Sequence, residues 1–355
     1  MDRRQFLGGI AGATLVAVTG AAHAQNPLVV RIGFASIGVD NRPFSQGSSL
    51  SVSHSLGLAE KEFGDEQNVR IEWYFFRGAG PAVNEAVVNR QLDLYTQGDL
   101  PSIVGRASGI KSKILLVSST RTPIYLAVPT GSDITTIEQL RGKRVAVFLG
   151  TNAHLSVAEV LAHHGLKWAD VNVVNLDNAS TNAALATKDI DAAFGSVTFL
   201  QLEDQGLVNV IYNSNDDAPS AARIGSLFVT SDFEEARPEI VARLVKAFTR
   251  GSHFASREEN RQAILDEWAK SGTARSILER DIQGVTLRER HSPLLDPFTR
   301  ALYASKAEKA KEFGLIRRPV ETEDWFEPKY LEASIRELGF EGAWTPFGAD
   351  GKPLG

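Results

Sequence analysis

The chain has 355 residues, with 38 Lys and Arg against 43 Asp and Glu, a net charge of −5 and no cysteine. At about 100–200 residues per domain, this length suggests two domains. An apolar fraction of 43% with 23% charged residues excludes disordered, collagen-like and coiled-coil classes. The acidic balance argues against nucleic acid as a partner, since phosphate binding needs a basic surface, and a cysteine-free chain has no disulfide, thiolate metal site or thiol nucleophile.

Residues 1–24 read as an export signal. Arg3-Arg4 supply the positive start, residues 7–20 form a short Gly- and Ala-rich apolar stretch, and Ala22-His23-Ala24 is an A-x-A cleavage site. The stretch falls short of the about 20 apolar residues a membrane span needs. Arg3-Arg4-Gln5-Phe6-Leu7 fits the twin-arginine pattern R-R-x-F-L; a Sec signal that carries two arginines is the alternative. No later stretch is long and apolar enough to span a membrane, so a soluble periplasmic protein is expected.

Residues 29–34 form a short apolar run and predict a buried strand. A polar, Gly-bearing segment occupies 36–47, and helical periodicity runs over 48–63 and stops at Gly64. A β-rich run at 69–76 turns through Gly78-Ala79-Gly80-Pro81 into a helix, with Pro81 suited to a first helical position. A strand at 92–95 passes through Gln97-Gly98-Asp99 into a helix near Pro101, and strands follow at 114–118 and 124–128. The rhythm then restarts. A strand at 144–148 leads through Gly150-Thr151-Asn152 into a helix over 153–164, which Gly165 caps. Strands at 171–176, 191–194 and 208–212 and a short helix at 182–187 complete this part. From residue 234 the pattern is mostly helical, with amphipathic stretches at 238–252, 258–270 and 298–313 that are expected to pack on the first lobe.

Strands alternating with helices predict an α/β protein with largely parallel sheets. The halves also resemble each other: Arg31–Phe34 aligns with Arg144–Val147, and the Asp93 strand start with the Asp191 strand start. This predicts two related lobes, divided as 25–124, 125–225 and a return over 226–355.

The sequence holds no G-x-S-x-G, H-E-x-x-H, Walker A or EF-hand pattern. Gly78-Ala79-Gly80 begins a dinucleotide-type match, but Val83 stands where its third glycine belongs. His163 and His164 are neighbours; on a helix they point about 100° apart and cannot chelate as an i,i+4 pair would. No metal or cofactor is therefore expected. Gly47-Ser48-Ser49, Gln97-Gly98-Asp99 and Gly150-Thr151-Asn152 each sit near a helix start, where free N–H groups and the helix dipole suit an oxyanion; plain helix capping is the alternative. Arg42, Arg77, Arg121 and Arg223 are candidate cations, since a guanidinium holds a sulfonate, sulfate or carboxylate through two hydrogen bonds.

The run Leu92–Pro101 (LDLYTQGDLP) followed by Ala107-Ser108-Gly109 resembles the x-D-x-G-x-x-G-D-x-P…A-x-G run of aliphatic-sulfonate-binding proteins, a group that includes taurine- and nitrate-type binders. Gly78–Pro81 resembles that family's A-G-P turn, Ile137–Ala146 its D-L-K-G-K-K-V-A segment, Gly150–His154 its G-S-S-S-H turn, Gly165–Val171 its G-L-x-x-x-D-V segment, and Trp325 with Pro328 a late W-x-P. The resemblance spans residues 28–335. It implies a two-lobed periplasmic binding protein of type II topology, with ligand in the inter-lobe cleft and hinge crossings near 125–127 and 226–228. Where many members have a W-D-P-like segment, this chain reads Phe194-Gly195-Ser196-Val197-Thr198-Phe199.

The candidate ligand contacts are Arg42, Ser48, Ser49, Gly78, Gly80, Gly98, Asp99, Thr151, Asn152, Ser196 and Arg223, with Phe194 and Phe199 as cover for an organic tail. The expected function is capture of a small anionic organic ligand of the sulfonate class and delivery to an ABC permease in the inner membrane, as a monomer and without catalysis. A sulfate ester, nitrate or a pyrimidine-like ligand is the alternative, and an exported hydrolase or lyase using His54 or His154 as base is a remote one. The desulfinases that share this plan rely on a cysteine, which this chain lacks.

Overall fold

The computed structural model describes residues 27–64 and 68–354; the expected signal at 1–24 lies outside the described residues. The chain forms two five-stranded sheets. The first holds β1 (Leu28–Phe34), β2 (Val69–Phe75), β3 (Leu94–Gly98), β4 (Ser112–Thr122) and β10 (Arg223–Thr230), in the order β2-β1-β3-β10-β4. The second holds β5 (Tyr125–Pro129), β6 (Arg144–Val147), β7 (Asn172–Asn175), β8 (Ala192–Gly195) and β9 (Val208–Asn213), in the order β7-β6-β8-β5-β9.

The two orders are the same plan, with β1, β2 and β3 taking the places of β6, β7 and β8. Four strands in each sheet run in one direction and one crossover strand, β10 or β5, runs antiparallel between its neighbours. Helices cover both faces of the parallel strands, so Val30, Ile32 and Phe34 of β1 are wholly buried, as are Val145 to Val147 of β6. An equivalent clamp marks the repeat. Asp93 accepts from the Arg31 backbone N–H at 2.8 Å and pairs with its guanidinium, and Asp191 accepts from the Arg144 N–H at 2.8 Å and does the same.

The helices are α1 (Ser49–Ser55), α2 (Leu58–Phe63), α3 (Ala79–Val88), α4 (Asp99–Ala107), α5 (Asn152–His163), α6 (Asn178–Thr187), α7 (Thr198–Asp204), α8 (Ser214–Asp217), α9 (Ser231–Ala236), α10 (Pro238–Ala255), α11 (Arg261–Ala269), α12 (Arg275–Asp281), α13 (Leu287–Arg290), α14 (Pro297–Glu312) and α15 (Lys329–Leu338). The single helix expected over 48–63 is two, because Gly57 adopts φ = 61° between them. Such a left-handed residue ends one helix and redirects the next.

The chain passes between sheets after β4 and again before β10. Residues 125–127 and 226–228, expected as hinges, lie inside β5 and β10; the crossings themselves are 123–124 and 214–222, just upstream. The C-terminal helices do not pack on the first lobe alone. Tyr303, Trp325 and Leu331 join its core, but Ile277 of α12 joins the core of the second lobe, and Arg280 pairs with Glu203 at 2.6 Å. Behind the sheets, Lys306 of α14 and Glu159 of α5 form a fully buried ion pair at 2.7 Å that ties one lobe to the other.

Candidate functional site

A cavity of about 300 Å³ lies between the lobes. Its first-lobe wall is the loop 35–47, the end of β4 and the start of β10. Its second-lobe wall is the starts of α5, α6 and α7, and the segment 268–290 closes the third side. The loop is held in place by side contacts: the Val39 N–H donates to the Ser271 carbonyl at 2.8 Å, and Ser271 Oγ bonds Gln46.

At the cavity floor sit Arg223, Arg290, Asp281 and Thr122. Arg290 is 1% exposed and donates to Asp281 Oδ2 at 2.9 Å, while Tyr125 Oη donates to Asp281 Oδ1 at 3.1 Å. Arg223 donates to the Pro123 carbonyl and has no carboxylate of its own. Burial pulls its guanidinium below its ordinary range, with Asp281 opposing and Arg290 adding to the effect. Three buried polar atoms here, Arg223 Nε, Arg290 Nε and Thr122 Oγ1, lack a partner among the described residues. Two cations face one anion, and every other lining residue is neutral. The cavity therefore carries a net charge of about +1 with spare donors, an arrangement that costs free energy until an acceptor fills it.

Above the floor, Ser36, Ser45, Ser119, Thr151, Ser196, Ser271 and Thr273 offer hydroxyls, Asn152 and Asn178 offer amides, and Phe44, Phe148, Phe194 and Trp268 supply apolar wall. Ala79 also lines it, in a left-handed conformation (φ = 51°) that is uncommon outside glycine. The cavity is thus polar and cationic at one end and aromatic along its sides, so it can hold an anionic head with a compact organic body.

Of the expected contacts, Thr151, Asn152, Ser196 and Arg223 line the cavity. The others do not. Arg42 is exposed on the outer side of its loop. Ser48 caps α1 through Ser51, and Ser49 donates to the Ser118 carbonyl and accepts from Ser252, so both serve packing. Gly78 caps α3; Gly80 lets Pro101 approach, since a Cβ there would overlap the proline ring. Gly98 faces Asn152 across the lobes, where a Cβ would stand 2.6 Å from Asn152 Nδ2. Asp99 is fully buried and accepts from the Leu100 N–H at 2.6 Å. Burial pushes its carboxyl up to about 6, with Lys306 opposing. Phe194 is cavity wall, whereas Phe199 packs beneath Gly195. His54 and His154 also lie away from the cavity. His54 is packed among Phe34, Phe44, Trp73 and Phe75, and His154 Nδ1 accepts from Gly150 while burial pulls it down to about 4.

Arg290, Asp281 and Trp268 were not anticipated. They come from the helical tail, where a charged residue within an amphipathic pattern carries no sign of pointing into a cleft. Thr122 lay just past an expected strand and nothing local marks it as lining, whereas Gly47 belongs to the Gly47-Ser48-Ser49 turn read as a candidate oxyanion site and does line the cavity.

The model of proteins described as NMT1/THI5 like matches residues 63–261, more than half of the chain. The chain belongs to the NMT1/THI5-like family. It is 29% identical over 184 residues to a provisionally named aliphatic sulfonates-binding protein of Escherichia coli (strain K12), a match covering 52% of this chain and 54% of that protein. The match thus spans about half the length of that relative. With the taurine-binding periplasmic protein of Escherichia coli (strain K12) it shares 26% identity over 278 residues, 74% of this chain and 83% of the relative. Among solved structures, the provisionally named periplasmic sulfonate-binding protein SsuA from Methylobacillus flagellatus KT superposes with a TM-score of 0.75 at 26% identity, covering 91% of this chain and 98% of its own. This family member has the two-lobed periplasmic binding protein fold, and these three relatives are named as binding proteins rather than enzymes. Among the described residues no helix is long and apolar enough to cross a membrane.

Proposed function

We propose that this chain is the periplasmic solute-binding component of an ABC importer and captures a small organic sulfonate. The observation that carries the reading is the cavity floor: Arg223 and Arg290 against Asp281, with both Nε donors unpartnered among the described residues. A net charge of about +1 in a cavity enclosed between the lobes suits a monoanion; a dianion such as free sulfate would keep half its charge uncompensated, at a cost that buried charges make large. The aromatic sides suit an organic body, which nitrate does not have. The names of the relatives, sulfonate- and taurine-binding, agree with this chemistry.

Binding would draw the lobes together about the crossings at 123–124 and 214–222, and the closed form would be what the permease reads. We propose no turnover: neither His54 nor His154 faces the cavity, and no thiol exists in the chain. We propose Thr151, Asn152 and Ser196 as contacts to ligand from the second lobe.

The test is a thermal-shift and calorimetric screen of ligand-stripped protein against alkyl and aryl sulfonates, taurine, sulfate esters, sulfate, nitrate, carboxylates and pyrimidines. A ligand at 100 times its dissociation constant stabilises the folded state by about 2.7 kcal/mol, enough for a clear shift. Shifts confined to organic sulfonates support the reading. Shifts with pyrimidines alone, or with sulfate as strong as with any sulfonate, overturn it.

A further inference from the structure

On the outer face of the second lobe, far in sequence from the cavity-lining tail, three groups meet. His163 ends α5, His164 is its C-cap, and Asp217 ends α8. His164 Nε2 lies 2.9 Å from Asp217 Oδ2, and His163 Nε2 lies 3.7 Å from the same oxygen. One ligand atom from each residue falls within 4.8 Å of the other two. His164 has left the regular helix (φ = −92°, ψ = 16°), and the two imidazole planes stand at 80° with centroids 5.3 Å apart. The obstacle that adjacency on a helix imposes is removed by this cap geometry, and the third group comes from a distant segment.

A further contact defines what the site can hold. His164 Nδ1 sits 2.7 Å from Glu138 Oε1, so both ring nitrogens of one imidazole face carboxylates. A neutral imidazole has one N–H and can donate to only one of them. The second nitrogen must carry either a proton or a metal ion. A carboxylate on the far nitrogen is the usual outer partner of a metal-binding histidine: it fixes the tautomer and raises the basicity of the ligating nitrogen. We propose that His163, His164 and Asp217 form a surface site for a divalent transition metal of the zinc type, oriented by Glu138.

The geometry agrees with the ion. Zinc–nitrogen and zinc–oxygen bonds of about 2.0–2.1 Å in a tetrahedral set place ligand atoms about 3.3 Å apart, and the two imidazole distances to Asp217 Oδ2, 2.9 and 3.7 Å, bracket that value. The ion takes the place of the Nε2 proton of His164, the Nδ1–H continues to donate to Glu138, and a water completes the fourth position. Two imidazoles and one carboxylate favour zinc over calcium or magnesium, which prefer all-oxygen sets. The C-terminus of α5 adds its negative dipole end to the same spot. Tyr212 Oη donates to Asp217 Oδ2 at 3.2 Å and holds the carboxylate in place. His163 is 53% exposed and Asp217 43%, so an ion has access. Bound metal would join α5 to α8, the helix that opens the second crossing.

The experiment is calorimetric titration of chelator-stripped, tag-free full chain with Zn²⁺ at neutral pH, with Mg²⁺ and Ca²⁺ as comparison ions. The expected result is one Zn²⁺ per chain, with affinity reduced at least tenfold in His164→Ala and in Asp217→Asn. Glu138→Gln should lower it 10–100-fold, the usual effect of losing an outer partner. His253→Ala, on the far side of the first lobe, and Arg223→Ala, in the cavity, should bind zinc as the parent does, which separates this site from the proposed sulfonate cleft. Absence of uptake overturns the proposal, as does uptake that His164→Ala and Asp217→Asn leave unchanged. Magnesium or calcium binding as strongly as zinc overturns it too.

Discussion

The two lobes share a strand order and the Arg–Asp clamp at the base of their first strands, yet they supply the cavity by different means. In the second lobe the strand-to-helix turns themselves reach the cavity, through Thr151, Asn152, Ser196 and Asn178. In the first lobe the equivalent turns at 78–80 and 98–99 reach the cavity only through Ala79, while their glycines meet neighbouring side chains: Gly80 receives Pro101, and Gly98 receives Asn152 from the other lobe. The first lobe instead delivers its wall through the loop 35–47, the strand ends Thr122 and Arg223, and the borrowed helical segment 268–290. A repeated scaffold thus does not imply a repeated contact set. Where the helix start is already filled by a neighbour's side chain, ligand contact moves to whichever loop remains free.

The largest expected effect tests the borrowed segment. Arg290 is the buried partner of Asp281, so Arg290→Ala leaves that carboxylate facing only Tyr125 and Arg223. Loss of one member of a buried pair costs about 3–5 kcal/mol, and urea unfolding should show the midpoint fall with little change in slope. A loss well under 1 kcal/mol would mean that the segment is not structurally joined to the cavity floor.

Next is the buried acid of the first-lobe turn. Asp99 is raised from its ordinary 3.8 to about 6 by burial. The folded state holds its proton more tightly than the unfolded chain, so this group's contribution to stability is full below about pH 4 and is lost as pH rises through about 6. Two pKa units correspond to roughly 3 kcal/mol. Asp99→Asn should flatten the fall in stability between pH 4 and 7, measured as the urea midpoint at each pH. A parent protein with no such fall would place Asp99 in contact with water or ligand after all.

The clamps compare the lobes directly. Asp93 is 10% exposed and Asp191 32%, with the same three donors around each. Asp93→Ala should cost about 2–3 kcal/mol, because charged hydrogen bonds gain strength with burial, and Asp191→Ala about 1 kcal/mol. Equal losses would show that the fold treats the two lobes alike at this position.

These clamps also show what the sequence made legible. The aligned Arg31 and Arg144 starts and the aligned Asp93 and Asp191 starts came from local pattern, and the sheets confirm them because strand register is a local property of hydrophobic alternation. The cavity residues divide differently. Thr151, Asn152 and Ser196 were legible because their turns follow parallel strands, where open α/β sheets bind ligands. Arg223 was legible only as a charge near a crossing. Arg290, Asp281 and Trp268 were not legible, since tertiary packing alone decides which face of a C-terminal helix meets a cleft built from residues between 35 and 223.

Arg223 is expected to act on binding rather than folding. It has no carboxylate partner of its own, so Arg223→Ala leaves Asp281 paired with Arg290 and removes the excess positive charge. A charge-assisted contact contributes about 1.5–3 kcal/mol, so sulfonate affinity should fall tenfold or more in calorimetry while the urea midpoint moves little. Unchanged affinity would remove Arg223 from the proposed contacts and leave the floor to Arg290 alone.

The smallest effect bears most directly on the contrast between the lobes. Gly98 and Asn152 were both read as ligand contacts, yet they meet each other: a Cβ on residue 98 would stand 2.6 Å from Asn152 Nδ2 and 2.8 Å from its Cγ. Because these residues belong to different lobes, Gly98→Ala strains the contact between lobes rather than the interior of either. The proposed closure should then be less favourable by about 1 kcal/mol, an order typical of mild overpacking, and ligand affinity should fall several-fold although residue 98 does not line the cavity. Asn152→Ala alone should also weaken binding, since it removes an amide from the cavity wall. In the double variant the amide clash is gone but the Cβ atoms of residues 98 and 152 would still stand 2.7 Å apart, so the two losses should fall only partly short of additive, with a coupling under about 1 kcal/mol. Strict additivity would mean that the lobes do not close on this pair, and the two turns would then have to be treated as separate faces of an open cleft.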